Sequence, residues 1–173
     1  QRDLLAEEQF DPIELVNRLR ADVKRWRESQ YRGVTPVTRE LLSYWTADRA
    51  RPMFFCQLEA VETLIYLLEI AIPGRLARTQ FQKFEVDAAL VSKLLTGERP
   101  EFAAADDVNP PRLVDWTGRP GELGLRRLGC KMATGSGKTT VMAMLITWAF
   151  LNRARNPAST QFPNGVLVCA PNL

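Results

Sequence analysis

Residues 131–140 read Lys-Met-Ala-Thr-Gly-Ser-Gly-Lys-Thr-Thr, and this stretch decides the fold prediction for the whole chain. Residues 125–132 lead into it and can form a short strand, whereas residues 138–152 follow it and have the composition of a mostly apolar helix. A strand, a glycine-rich turn and a Lys-Thr pair that opens a helix are together typical of a phosphate-binding loop.

The residue types in this stretch suit the phosphates of a nucleotide. Gly135 and Gly137 can take a positive φ and lack a Cβ, so backbone N–H groups can turn toward phosphate oxygens. The start of the following helix adds unpaired N–H groups and the positive end of its dipole. Lys138 can reach the β- and γ-phosphates as a catalytic residue, and the Thr139 hydroxyl can ligate Mg²⁺. The predicted nucleotide-binding residues of the loop are Thr134, Gly135, Ser136, Gly137, Lys138, Thr139 and Thr140.

The loop departs from the common pattern G-x-x-x-x-G-K-[ST], because Met132 stands where the first glycine of that pattern belongs. A glycine-rich turn between a strand and a helix that binds nothing is the alternative interpretation of the same residues.

Composition narrows the class of protein. The 173 residues are 46% hydrophobic and 25% charged with a net charge of +3, which is ordinary for a soluble globular chain. There are three cysteines and no histidine, so a zinc site, a disulfide framework and a His-based catalytic centre are disfavoured. No secretory signal or membrane-spanning run is evident, and we expect a reducing, cytoplasmic compartment.

Four regions follow from the order of the patterns. Residues 1–50 form a helical N-terminal region, with one helix at 11–31 and a second that Thr38 can cap. Residues 51–96 form a helical segment, and residues 97–124 form a linker rich in Pro and Gly. Residues 125–173 begin an ATPase domain, and the Ala-Pro-Asn-Leu end makes us expect a truncated one.

The first helix carries a basic face made of Arg18, Arg20, Lys24, Arg25 and Arg27. A solvated helix face is one interpretation, and a surface for nucleic-acid phosphates is the other.

Three stretches together resemble superfamily-two helicases and translocases. They are Arg-Pro at 51–52 with Gln-Leu-Glu-Ala-Val-Glu-Thr at 57–63, the loop at 131–139, and Val-Leu-Val-Cys-Ala-Pro-Asn-Leu at 166–173. The nearest likeness is to the Res-type motor subunits of type III restriction enzymes and related bacterial defence helicases. The resemblance implies an α/β fold, an incomplete P-loop (RecA-like) parallel sheet with flanking helices. Residues 165–170, an apolar run typical of a buried parallel strand, fit that expectation.

The resemblance also implies an activity and further site residues. It implies that ATP and Mg²⁺ are the cofactors and that ATP hydrolysis is coupled to movement on DNA, with double-stranded DNA as the preferred expectation. The expected protein partners are restriction or defence subunits, and no membrane association is expected. It assigns the adenine edge to Gln57 and the nucleic-acid backbone to Pro171 and Asn172. Two rivals stay open: a nucleotide-dependent switch without motor activity, and a non-enzymatic assembly module.

Overall fold

A computed structural model describes residues 14–47, 52–73 and 128–169 and folds them mainly into helices. Helix α1 spans Glu14–Glu28, α2 spans Pro36–Thr46, α3 spans Phe55–Ile65, and α4 spans Lys138–Arg155. Helix α3 continues directly into a π-helical turn at Tyr66–Ala71. Residues 74–96 of the predicted helical segment, the predicted linker at 97–124, Pro171 and Asn172 lie outside the described residues.

The first two helices occur where the sequence predicts them, but the second is capped differently. Thr35, not Thr38, is its N-cap, and the Thr35 hydroxyl accepts a hydrogen bond from Thr38 N at 3.1 Å. Pro36 then occupies the first helical position, where its missing N–H costs nothing. The cap therefore sits one residue before the proline, where its hydroxyl reaches the N–H of the third helical residue, Thr38.

The core forms where α3 and its π-helical turn pack against the other three helices. Trp26 of α1 makes an edge-on contact with Tyr31, and its ring centroid lies 5.4 Å from that of Tyr66. Trp45 of α2 is also buried. The other fully or nearly fully buried apolar side chains are Val23, Leu42, Val61, Ile65, Ile70, Val141, Met144, Trp148 and Phe162.

A buried polar cluster joins α2, the π-helical turn and α4. The carboxylate of Glu69 accepts hydrogen bonds from Thr35 N at 2.5 Å, the Thr38 hydroxyl at 2.7 Å and Trp148 Nε1 at 3.1 Å. Asn152 Nδ2 donates to the Thr38 hydroxyl at 2.9 Å, and the Thr35 hydroxyl donates to Asn152 Oδ1. A buried carboxylate is tolerated when donors surround it in this way. The cluster ties the helix that follows the loop to the N-terminal helices.

The predicted parallel sheet is wrong for the part of the chain that the structure describes, where no residue belongs to a β-ladder. Residues 128–133 and 165–169 have no regular secondary structure, and Leu167 is 87% exposed. A strand requires backbone hydrogen bonds from a neighbour, and no described segment supplies them to either run. The described fold is therefore helical.

The apolar helix α4 buries one face, whereas its sequence suggests burial on several sides. Val141, Met144 and Trp148 are buried at helical spacing, and Trp148 is only 4% exposed. Phe150 is 68% exposed on the other face. Among the described helices, none has the length and apolar character needed to cross a membrane.

Candidate functional site

The loop before α4 takes its shape from two left-handed glycines. Gly135 has φ +77°, and Gly137, the N-cap of α4, has φ +83°. A side chain at Gly135 would enter open space, but a Cβ at Gly137 would lie 2.0 Å from Nε2 of Gln57. Gly137 is thus required both by its backbone conformation and by the closeness of a neighbouring side chain.

The loop presents unpaired donors at the start of α4. The N–H groups of Gly135 and Gly137 have no acceptor among the described residues, and the first N–H groups of a helix lack partners by geometry. Ser136 N donates to Ala133 O at 3.3 Å, which closes the turn. Free N–H groups beside the positive end of a helix dipole form an anion site.

Lys138 lies against the same loop. Its Nζ donates to Ala133 O at 3.0 Å and to Met132 O at 3.5 Å, so the ammonium group lies against the backbone carbonyls of the loop. The ammonium is exposed, so a negatively charged ligand can approach it without displacing packed side chains. The geometry puts a positive charge beside the free N–H groups.

Gln57, predicted from the sequence as an adenine-reading residue, touches the loop directly. It is 7% exposed, accepts a hydrogen bond from Phe54 N at 3.0 Å, and donates from Nε2 to Ser136 O at 3.2 Å. The first of these bonds is the half of a capping box that a residue at the third helical position contributes. Gln57 therefore links the start of α3 to the loop, a role that sequence reasoning missed, although its position three residues after Phe54 signals the cap.

Few side chains among the described residues could ligate a metal ion at the loop. The Thr139 hydroxyl is exposed at the first turn of α4 and has no hydrogen-bond partner among the described residues. In the same part of the chain no group of three or more His, Cys, Asp or Glu side chains could hold a metal. Mg²⁺ commonly keeps several waters and takes phosphate oxygens beside few protein ligands. A single hydroxyl fits Mg²⁺ that arrives with a nucleotide.

An apolar groove of about 630 Å³ lies beside the loop. Side chains of α1 and α3 form one side, among them Leu19, Phe55 and Leu64, and residues 128–133 form the other. Its size falls within the range of small-molecule sites, and a mostly apolar lining suits the face of a nucleobase.

Most of the basic side chains on this face of α1 form ion pairs. Arg20 Nε lies 3.2 Å from Glu59, Arg25 pairs with Asp22, and Arg27 bonds to both Glu59 and Glu62. Glu62 is fully buried and raises the pKa of Arg27 above its ordinary value. These pairs favour packing of α1 on α3, and they leave little of this face for nucleic-acid phosphates.

Tyr31 completes the same cluster. Its hydroxyl donates to Glu62 Oε1 at 2.6 Å. Burial raises the pKa of the Tyr31 phenol, and the Glu62 carboxylate raises it further. Burial also raises the pKa of Tyr66, with the charge of Asp22 as the next contribution.

The predicted loop residues Thr134, Gly135, Ser136, Gly137, Lys138, Thr139 and Thr140 lie together at the start of α4, and Gln57 lies beside them. Comparison of the chain with protein-family models, with curated proteins and with solved structures finds no match.

Proposed function

We propose that this chain binds ATP with Mg²⁺ through the loop at 131–140, and that it belongs to an ATP-dependent helicase or translocase that moves on DNA in restriction or phage defence. The observation that carries the first step is the pair of left-handed glycines that leaves N–H groups free beside Lys138. The second step is supported by the resemblance of three stretches of the sequence to superfamily-two motors.

Each loop residue has a defined part in this proposal. The free N–H groups and the N-terminus of α4 hold the phosphate oxygens, and Lys138 moves from the loop carbonyls to the β- and γ-phosphates. Thr139 holds Mg²⁺, which when bound neutralises charge on the same phosphates. The apolar groove beside the loop accepts the base, and Gln57, which bonds to the groove-lining Ser136, contacts the adenine edge.

The test of nucleotide binding is Lys138→Ala, with Lys24→Ala as the matched control. Both residues are exposed lysines, but Lys24 lies on α1, outside the loop and outside the lining of the groove. Charge-assisted hydrogen bonds contribute about 1.5–3 kcal/mol, so Lys138→Ala should weaken ATP binding about tenfold or more in calorimetric titration. Equal affinities of the two variants would contradict the nucleotide site.

Motor activity is tested separately in the protein that contains this chain. Lys138→Ala should abolish ATP hydrolysis stimulated by duplex DNA, whereas Lys24→Ala should preserve it. If duplex DNA does not stimulate ATP hydrolysis by the unsubstituted protein, the proposal of nucleotide binding stands but the proposal of motor activity is removed. That outcome would favour the switch ATPase instead.

A further inference from the structure

The turn between α1 and α2 borders a polar surface pocket of about 940 Å³. It involves neither the loop nor the groove beside it. Basic, amide, hydroxyl and acidic side chains share its lining, which includes Arg27, Glu28, Gln30, Arg32, Arg39 and Ser43.

Among the described residues that line this pocket, two of the three arginines are available to a ligand. Arg27 is held by Glu59 and Glu62. The guanidinium groups of Arg32 and Arg39 are exposed and have no hydrogen-bond or ion-pair partner within the described ranges. Glu28 is the one carboxylate among the same described lining residues, so this part of the lining has a net positive charge.

The turn that presents Arg32 is held in place by its neighbours. Gln30 and Tyr31 both have positive φ, at 57° and 56°, a conformation that few non-glycine residues adopt. The hydrogen bond from Tyr31 to Glu62 and the bond from Trp26 Nε1 to Arg32 O at 3.0 Å fix this backbone. Arg39 projects from α2, whose start the Thr35 cap fixes, so both arginines stand on ordered backbone.

We propose that this pocket binds the phosphate groups of a nucleic-acid backbone, with Arg32 and Arg39 donating to phosphate oxygens. The planar guanidinium matches phosphate in a bidentate way, and hydroxyl and amide side chains such as Ser43 and Gln30 are common additional donors to phosphate. The volume exceeds what one phosphate ion fills, and two separate arginines suit successive phosphates. The choice of a nucleic acid among polyanions is based on the proposed motor function.

The test compares Arg32→Ala/Arg39→Ala with Lys24→Ala/Arg155→Ala. The control pair removes two positive charges at exposed positions outside the pocket. Binding of a short fluorescent DNA duplex is measured by anisotropy over a series of salt concentrations, without nucleotide. The pocket variant should bind about tenfold or more weakly, and the slope of log affinity against log salt should fall by about 2, since each phosphate contact contributes about 0.9. The control should change affinity by less than about threefold.

A second variant separates contact geometry from charge and from misfolding. Arg32→Lys/Arg39→Lys keeps both charges, so it should recover the salt slope but only part of the affinity. Equal losses in the pocket and control variants would overturn the proposal. So would equally tight binding of poly-glutamate with the same dependence on Arg32 and Arg39, or a failure of excess pyrophosphate to reduce DNA binding.

The loop serves as an independent reference. Lys138→Ala should leave DNA binding without nucleotide unchanged, because Lys138 does not line the pocket. A failure of nucleotide binding to depend on Lys138 would therefore remove the proposed function, whereas a failure of DNA binding to depend on Arg32 and Arg39 would remove this inference.

Discussion

The side-chain nitrogen of Gln57 lies 3.2 Å from the carbonyl oxygen of Ser136, so the start of α3 supports the loop from its carbonyl side. The same nitrogen occupies the space that a Cβ on Gly137 would need. Gln57 and Gly137 are therefore fitted to each other, although they are distant in sequence. Any change to one of them acts on the shape of the loop through the other.

The first prediction concerns this pair. Gly137→Ala should destabilise the chain by about 2 kcal/mol or more, from a left-handed backbone and a clash with Gln57. Gly135→Ala, with the same backbone conformation but open space, should cost only about 1–2 kcal/mol. The double variant Gln57→Ala/Gly137→Ala should recover about 1 kcal/mol relative to the sum of the single changes. Urea unfolding measures these three variants and Gln57→Ala alone, and strict additivity of the changes at Gln57 and Gly137 would show that the two positions do not interact.

The second prediction concerns the choice of base. A Gln amide has two N–H donors and two acceptor sites, so Gln57 can hold Phe54 N and Ser136 O and still offer one of each to adenine. Gln57→Ala should then weaken ATP binding by about 1–3 kcal/mol more than GTP binding. Competition titrations with ATP, GTP and CTP measure this difference. An equal loss for the three nucleotides would leave Gln57 with its loop contact alone.

Local patterns in the sequence were enough to predict the helices and the loop. Gly135, Gly137 and the apolar spacing of α1 and α3 are signals within one turn or one helix, and the structure has a turn and helices at those places. The prediction of a sheet failed because strand pairing depends on a neighbouring segment, and the sequence of residues 165–169 does not identify that segment.

The contacts that sequence reasoning missed all join distant segments. Glu62 and Glu69 interrupt an apolar run of the sequence. From the sequence alone they are interpreted as charges that exclude a membrane-spanning helix, and not as buried hydrogen-bond acceptors. Their spacing of seven residues was a signal that they share the packed face of α3 and its π-helical turn. Their donors, Arg27, Tyr31 and Thr38, come from other helices, so no local pattern identifies them.

The third prediction concerns Glu69. Glu69→Ala leaves the Thr35 N–H and the Thr38 hydroxyl without this acceptor and removes one of the two acceptors of Trp148 Nε1, and should lower the free energy of unfolding by about 2–4 kcal/mol. Glu69→Gln keeps one oxygen acceptor and should cost roughly half as much. Glu40→Ala, an exposed acid on α2, is the control and should stay within about 0.5 kcal/mol. Denaturant unfolding followed by Trp fluorescence measures each; a Glu69→Ala variant as stable as the control would mean that the cluster contributes nothing.

The last prediction is a loss of stability in alkali that depends on Tyr31 and Tyr66. The pKa of both phenols is raised above the ordinary value of 10.0, first by burial and then by the nearby carboxylates. A raised pKa means that the folded state holds the proton more tightly than the unfolded state does. The stabilisation is complete below about pH 10, and it is lost as the pH rises from there toward the folded pKa.

The free energy of unfolding should therefore fall above about pH 10, with a slope of up to about 1.4 kcal/mol per pH unit for each phenol. Tyr31→Phe and Tyr66→Phe should each flatten that slope, and the double variant should flatten it most, because phenylalanine has no proton to lose. Tyr31→Phe also removes the hydrogen bond to Glu62, so it should lower stability at pH 7, while its alkaline slope still decreases. Urea unfolding from pH 8 to pH 11 measures both effects separately. Since lysine side chains titrate in the same range, the comparison is between variant and parent at each pH. An alkaline slope that is identical in the parent and the double variant would show that neither phenol is held protonated by the fold.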